Sequence, residues 1–380
     1  MNLDNYLHIV AFDMPYPPDY GGAIDIFFKV KALNDRGVRV ILHVFLYDGK
    51  KASVELEKLC ERVYYYSRKR FKNPFTGEIP YIVASRTDEL LLANLSKDRY
   101  PVLFEGLHTT AFLGDNALQG RLLMVRTHNV EHDYYRALEQ AESSFFKKYF
   151  FRIEAERLEK YESVLDKATH ILAISPADTD YFSGKYGRVE YIPAFHSNTA
   201  MQCETGYGQF VLYHGNLGIG ENNRAALYLV HEVFPKLKLP CVVAGNNPSR
   251  QLVTAVKSNP GVRLLSNISS DEILQLVQDA QVNVLVTFQT TGIKLKLLNS
   301  LFRGRHCVVN KEMVENTGLE EVCEMGQTTE ELVRAIEQCA EKPFTEAELA
   351  KRREILDASF SNLNSAGKIL LLMQENRLYT

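Results

Sequence analysis

The segment TTGIKLKLLNSLFRGRHCVVN, residues 290 to 310, places Lys294 and Lys296 at the start of an apolar-periodic run that contains no acidic residue. Just upstream, VNVLVTF (Val282 to Phe288) is a β-branched run that reads as a buried strand. The unit is therefore strand, polar loop, a helix opening at Gly292, and a further strand. The first turn of a helix leaves backbone N–H groups unpaired and carries partial positive charge. Two ammonium groups beside it make a place for an anion such as a phosphate. Plain solvation of two surface lysines is the competing reading.

Three other constellations could do chemistry. HGNLGIG, residues 214 to 220, runs G-x-x-G-x-G, and the next strand, LPCVVAGN, ends without the acid that would hold a ribose. Nicotinamide binding is not expected of it. Asp178-Thr179-Asp180 could hold a metal, but it follows Ser175-Pro176-Ala177, giving S-x-x-D with proline at the first helical position. A capped helix start explains that pattern better. His128, Glu131 and His132 crowd one loop-to-helix turn with no third distant ligand, which leaves zinc a minor reading.

The elements that must position these residues alternate. In the first half, LHIVAF, VRVILHVFLY, RVYYYS, YPVLFEG, RLLMVRTH, ATHILAIS and VEYIPAF read as strands. Helices are expected from about Gly22 to Arg36, around Ser53 to Cys60, and over the long charged run SSFFKKYFFRIEAERLEKYESVLDKA. The polar, aperiodic stretch HSNTAMQCETGYGQ separates this half from a second one, where FVLYHGN, LPCVVAGN, GVRLLSN, VNVLVTF and HCVVN alternate with helices at Asn222 to Phe234, Ser249 to Ser258 and Ser270 to Gln278. Two amphipathic helices, about Glu346 to Leu356 and Asn362 to Asn376, close the chain. The fold class is thus α/β with two parallel-sheet domains, as 380 residues also suggest. The expected division is a first domain over 1–195, a linker over 196–208, a second domain over 209–358 and a final helix over 359–380. A net charge of −3 with 24% charged residues argues against a nucleic-acid protein. Six cysteines without C-x-x-C spacing suit reduced, buried thiols. The start, YLHIVAFDMP, lacks a secretory pattern, and no run approaches about 18 apolar residues, so a cytoplasmic, non-spanning protein is expected.

Several segments together resemble the retaining family-4 glycosyltransferases, the glycosyl transferases group 1, of the type that builds bacterial surface polysaccharide. PYPPDYGGAIDIFFKVKALNDRGVRVILHVF is similar to that family's opening strand, Gly-Gly loop and helix; RTHNVEHDYYRAL matches a segment common in bacterial members. ILAISPADTDYF, YHGNLGIGENNRAALYL, VVAGN and GVRLLSNISSDEILQLVQDAQVNVLVT resemble further stretches of it, and residues 290 to 310 its donor-binding helix. The resemblance implies a GT-B fold, two Rossmann-like domains facing a cleft, with C-terminal helices crossing back to the first.

It also implies a nucleotide-sugar donor bound by Gly21, Gly22, Gly215, Asn216, Gly245, Ile268, Thr291, Gly292, Ile293, Lys294, Lys296 and Asn299, and a glycan or lipid-linked glycan acceptor. Members of the family usually carry Glu-x7-Glu where this chain has Thr291 and Asn299, an exchange of charge-assisted for neutral hydrogen bonds that weakens a donor by roughly 1 kcal/mol. His108 in FEGLHTTAFL looks like the family's loop histidine near the reacting sugar, with Glu105 and His128 as alternatives. Neither metal nor cofactor is expected, because glycines, lysines and helix N–H groups would stabilise the leaving diphosphate. A catalytically weak nucleotide- or glycan-binding partner subunit, or a nucleotide-sugar epimerase, is the alternative. Residues 63–75 and 145–152 interleave aromatic and basic side chains, as a peripheral membrane contact would.

Overall fold

A computed structural model describes residues 5–47, 49–69, 77–142, 144–288, 295–315 and 317–378. The chain divides into two compact units, Met1–Ser197 with Phe360–Thr380, and Asn198–Ser359.

The first unit is built on seven parallel strands: β1 (Tyr6–Ala11), β2 (Arg39–Leu46), β3 (Arg62–Ser67), β4 (Val102–Glu105), β5 (Leu123–Thr127), β6 (His170–Ala173) and β7 (Val189–Tyr191). They lie in the order β3-β2-β1-β4-β5-β6-β7, with His8 opposite Val102 and Leu103 opposite Met124. Alternation along each strand feeds two cores. Leu7, Ile9 and Ala11 face the helix Gly21–Asp35, through Ile26, Val30 and Leu33. The helix Asn362–Leu378 covers the same face with Ala366, Ile369, Leu372 and Met373. On the opposite face Val10, Phe104 and Val125 pack with Ile82, Leu158 and Phe182. The charged run expected as one helix is α-helical over Phe145–Tyr161 and tightens to 3-10 over Glu162–Lys167, and a separate helix, Glu131–Ala141, precedes it.

The second unit has β8 (Val211–His214), β9 (Cys241–Ala244), β10 (Val262–Leu265), β11 (Val282–Leu285), β12 (His306–Val309) and β13 (Glu324–Met325) in the parallel order β10-β9-β8-β11-β12-β13. From Asn198 on, the polar stretch belongs to this unit: Gln202 N–H donates to the Phe302 carbonyl at 2.8 Å, and Gly206 bridges Phe344. The helix expected at Glu346 runs on to Phe360. The helix after β11 is described from Leu295 to Arg303, so its expected opening at Gly292 falls outside the described residues.

Candidate active site

In each sheet the strand order reverses once, between β1 and β4 and between β8 and β11, and the loops leaving such a point are where doubly wound sheets take ligands. Of the expected site residues, Gly21 and Gly22 follow β1, Glu105 ends β4 with His108 just past it, and Gly215 and Asn216 follow β8.

In the first unit, Glu105 ends β4 fully buried and accepts hydrogen bonds from Lys29 Nζ at 2.6 and 2.8 Å. Lys29 also donates to Asp25, one helical turn earlier, at 2.9 Å. Arg126 on β5 donates to Asp25 at 3.0 Å and to the Pro193 carbonyl at 3.0 Å. His128 Nε2 stands 2.9 Å from Glu105. Burial alone would raise both carboxyls, but Arg126 and Lys29 outweigh it at Asp25, and Lys29 with His128 outweighs it at Glu105, so both are held below the ordinary range. Ligand atoms of Asp25, Glu105 and His128 lie within 4.8 Å of one another, a spacing that could hold a cation. The Lys29 ammonium, bonded to both carboxylates, already supplies one there.

His108 sits three residues past β4 in a 3-10 turn, its ring centroid 5.0 Å from that of Phe12. Gly106 precedes it at φ +67°, and a Cβ there would stand 2.7 Å from His108 Nδ1, so glycine is what lets the ring take this position. Burial, with Arg86 nearby, pushes the imidazole well below its usual range, and it is neutral. Gly21 and Gly22 form the start of the helix Gly21–Asp35, which has no side-chain cap and no acidic residue in its first turn. A Cβ on Gly22 would come within 2.5 Å of the Phe12 ring.

The trio His128, Glu131 and His132 does not converge. His128 turns to Glu105, His132 Nδ1 to Glu162 at 3.3 Å, and Glu131 Oε1 to His108 Nδ1 at 3.9 Å. Successive helical positions are splayed by about 100°, which separates neighbours that look clustered in sequence. Asp178 N–H donates to the capping Ser175 Oγ in the first turn of Pro176–Ser183, and Asp180 is exposed.

In the second unit the loops after β8, β9 and β10 lie side by side. Gly245 has φ +153°, and a Cβ there would fall 1.8 Å from the Gly215 carbonyl oxygen. Gly215 N–H donates to Ala244 and Leu217 N–H to Asn246, while Asn246 exchanges hydrogen bonds with both backbone groups of Ile268 at 3.0 and 3.1 Å. Asn216 holds the loop through Gly218 N–H and Asn222. Lys296 reaches over the Tyr213 ring and donates to Asn222 at 3.1 Å, beside Gly215. His214, pushed down to about 3 by burial and then Lys296, adds no charge there. Asn299 accepts from Asn198 at 2.9 Å. Thr291, Gly292, Ile293 and Lys294 fall outside the described residues.

Sequence reading did not single out Asp25, Lys29, Arg126 or Glu221. Glu221 accepts from Thr287 Oγ1 and Phe288 N–H, both at 2.6 Å, and so ties the loop after β11 to the helix after β8. The available signal for the first pair was an acid and a base at i, i+4 within the apolar run AIDIFFKVKAL.

The two doubly wound sheets, each with polar residues at its reversal point, define the GT-B class of glycosyltransferase folds. Consistent with this, residues 208–342 match the family model described as glycosyl transferases group 1. A sucrose-phosphate synthase from Thermosynechococcus elongatus superposes with a TM-score of 0.71 over 99% of this chain and 100% of its own, at 15% identity. A glycosyltransferase from Rickettsia africae gives 0.64 over 98% and 99%, also at 15%. A Klebsiella pneumoniae protein described as an uncharacterized 44.6 kDa protein in the cps region is 29% identical over 331 residues, 82% of this chain and 84% of its own. Over residues 208–342 the chain resembles the group 1 glycosyltransferases, and glycosyl transfer is the activity that this match supports.

Proposed function

We propose that the protein moves a sugar from a nucleotide-sugar donor to a saccharide or lipid-linked saccharide acceptor, with retention and without a metal ion. The observation that carries this reading is the second-unit loop cluster, where glycine backbones at 215 and 245 meet and Lys296 Nζ donates to Asn222, the side chain next to Gly215. An ammonium beside loops whose glycines carry no side chain to hold an anion away suits a diphosphate whose negative charge grows as the sugar leaves. In the first unit His108 is the group offered to the reacting sugar, while Glu105, fully buried and bonded to Lys29, serves to hold His128. The acceptor reading draws on the Klebsiella relative, whose description places it in a cps region.

Calorimetry with UDP, GDP and ADP tests the site. One of them should bind, and Lys296→Ala should weaken it by about 1–3 kcal/mol, the worth of a charge-assisted contact. Release of that nucleotide from its sugar conjugate should persist in chelator. Unchanged affinity in the variant refutes the anion site; binding with no release in any condition turns the reading to a partner subunit.

A peripheral membrane contact falls to residues 145–152. In 63–75, residues 63–67 belong to β3, with Tyr66 buried and Tyr64 and Tyr65 packed against the cores, and residues 70–75 lie outside the described set. In the other stretch Phe145 and Phe146 are 76% and 78% exposed and Tyr149 51%, beside exposed Lys147, Lys148 and Arg152. Such a helix start suits an anionic lipid surface, at about 1 kcal/mol per basic residue. Among the described residues no helix is long and apolar enough to cross a membrane.

A further inference from the structure

Five buried polar atoms in the first unit lack a hydrogen-bond partner at the carboxyl ends of three neighbouring strands: His108 Nδ1 past β4, Thr127 Oγ1 ending β5, Glu131 Oε1 and His132 Nδ1 opening the next helix, the latter toward Glu162, and Asp178 Oδ2 in the first turn after β6. Buried polar atoms nearly always find partners, so a group of orphans marks a place where a ligand or water completes the set. Two of them face each other. His108 Nδ1 and Glu131 Oε1 are 3.9 Å apart, too far for a direct bond and close enough for one oxygen to sit about 2.9 Å from both.

We propose that His108 and Glu131 hold one hydroxyl of a sugar substrate between them, which makes Glu131 a binding residue of the first unit. The ligand class rests on the glycosyl-transfer reading, and the residues rest on the geometry. The chemistry suits an uncharged pair. Burial raises the Glu131 carboxyl to about 8, with Arg86 opposing and Asp178 reinforcing, and burial keeps His108 neutral. Each side chain then has a donor or an acceptor to offer, and a hydroxyl can accept from one and donate to the other. The groups facing the pair are Arg86, from the segment after Tyr81–Ala84 and bonded to the Phe12 and Ile82 carbonyls, Arg68 after β3, His128 after β5, Asp178, and Tyr134 and Tyr135 of Glu131's own helix. Arg86 and Phe12 wall the site, and Gly106 leaves room for the nitrogen. The family-model match, confined to residues 208–342, does not reach any of these residues.

The test uses the whole protein with two kinds of probe: UDP-glucose, GDP-mannose and ADP-glucose hydrolysis for a donor sugar, and methyl α-glucoside, methyl α-mannoside and methyl α-galactoside binding by saturation-transfer NMR for an acceptor sugar. Glu131→Leu should raise KM or weaken binding in one arm by about tenfold to a hundredfold, with nucleoside diphosphate affinity unchanged. Glu131→Gln, which donates and accepts without ionising, should recover most of that loss, and its activity or binding should no longer fall above pH 8. Should Glu131→Leu not fold, His108→Phe removes the same contact from the other side. No change in either arm with Glu131→Leu and His108→Phe would show a trapped water and overturn the proposal. So would a Glu131→Gln variant as impaired as the leucine one, or one that keeps the alkaline fall. Failure of nucleoside diphosphates to bind the wild type would instead count against the donor reading, while the methyl-glycoside arm would still test Glu131.

Discussion

Replacing Lys29 by methionine should destabilise the first unit in a pH-dependent way. Lys29 Nζ lies 2.6 and 2.8 Å from the Glu105 oxygens and 2.9 Å from Asp25, with none of the three side chains more than 1% exposed. Methionine keeps the length and removes the charge. Asp25 retains Arg126 at 3.0 Å and the Phe195 N–H at 2.8 Å, so the loss falls mainly on Glu105, which retains His128. Removing one partner from a buried ion pair costs about 3–5 kcal/mol, because a desolvated charge is left behind. Glu105 can escape part of that cost by taking up a proton. In the wild type its carboxyl is held below the ordinary value; in the variant burial dominates and raises it. A group whose folded value is raised contributes stability at low pH that is lost as pH climbs through that value. The deficit should therefore be smaller near pH 5 than near pH 8, where it is full. Native-state hydrogen exchange at β1 and β4 amides measures it in the first unit alone, whatever the second does. The double variant Lys29→Met/Glu105→Gln should recover most of the deficit. A loss under about 1 kcal/mol at pH 8, the range of an exposed pair, or an equal loss at both pH values refutes the reasoning.

Two further outcomes follow from the second unit and from the exposed helix start. Gly245→Ala should abolish nucleotide binding in calorimetry and lower the thermal transition of the second unit, since its Cβ cannot coexist with the Gly215 carbonyl 1.8 Å away; near-normal values of both would mean that the loops part easily. Phe145→Ser/Phe146→Ser with Lys147→Ser/Lys148→Ser should end cosedimentation with vesicles of phosphatidylserine and phosphatidylcholine at low salt, whereas an unchanged pellet, or no wild-type binding at all, assigns the acceptor to solution.

Both sheets were legible because their strands are short apolar runs, such as LHIVAF and CVVAG, bounded by turn residues. β13 was not: it is two exposed residues, Glu324 and Met325, placed by pairing with Val308 and Val309 rather than by any pattern of their own. The loop glycines were readable as glycines, but the need for Gly245 arises from a carbonyl thirty residues earlier. Partners of the buried charges are more distant still. Lys29 finds Glu105 76 positions away, and Arg126 finds Asp25 101 positions away, separations over which sequence periodicity carries no signal. Glu131 was visible only as a member of a false metal trio, because its true neighbour, His108, comes from a different strand end.

The first unit is also assembled from two separated lengths of chain. Its inner core includes Ala366, Ile369, Leu372 and Met373, which the ribosome makes only after the whole of the second unit. At about 5–20 residues per second, β1 and the helix Gly21–Asp35 wait roughly 15 to 70 seconds for that cover. The contiguous second unit is free to fold during the wait, so the order of maturation runs opposite to the order of synthesis. A nascent chain stalled before residue 362 would present Ile26, Val30 and Leu33 without the helix that shields them, a natural point of capture for chaperones.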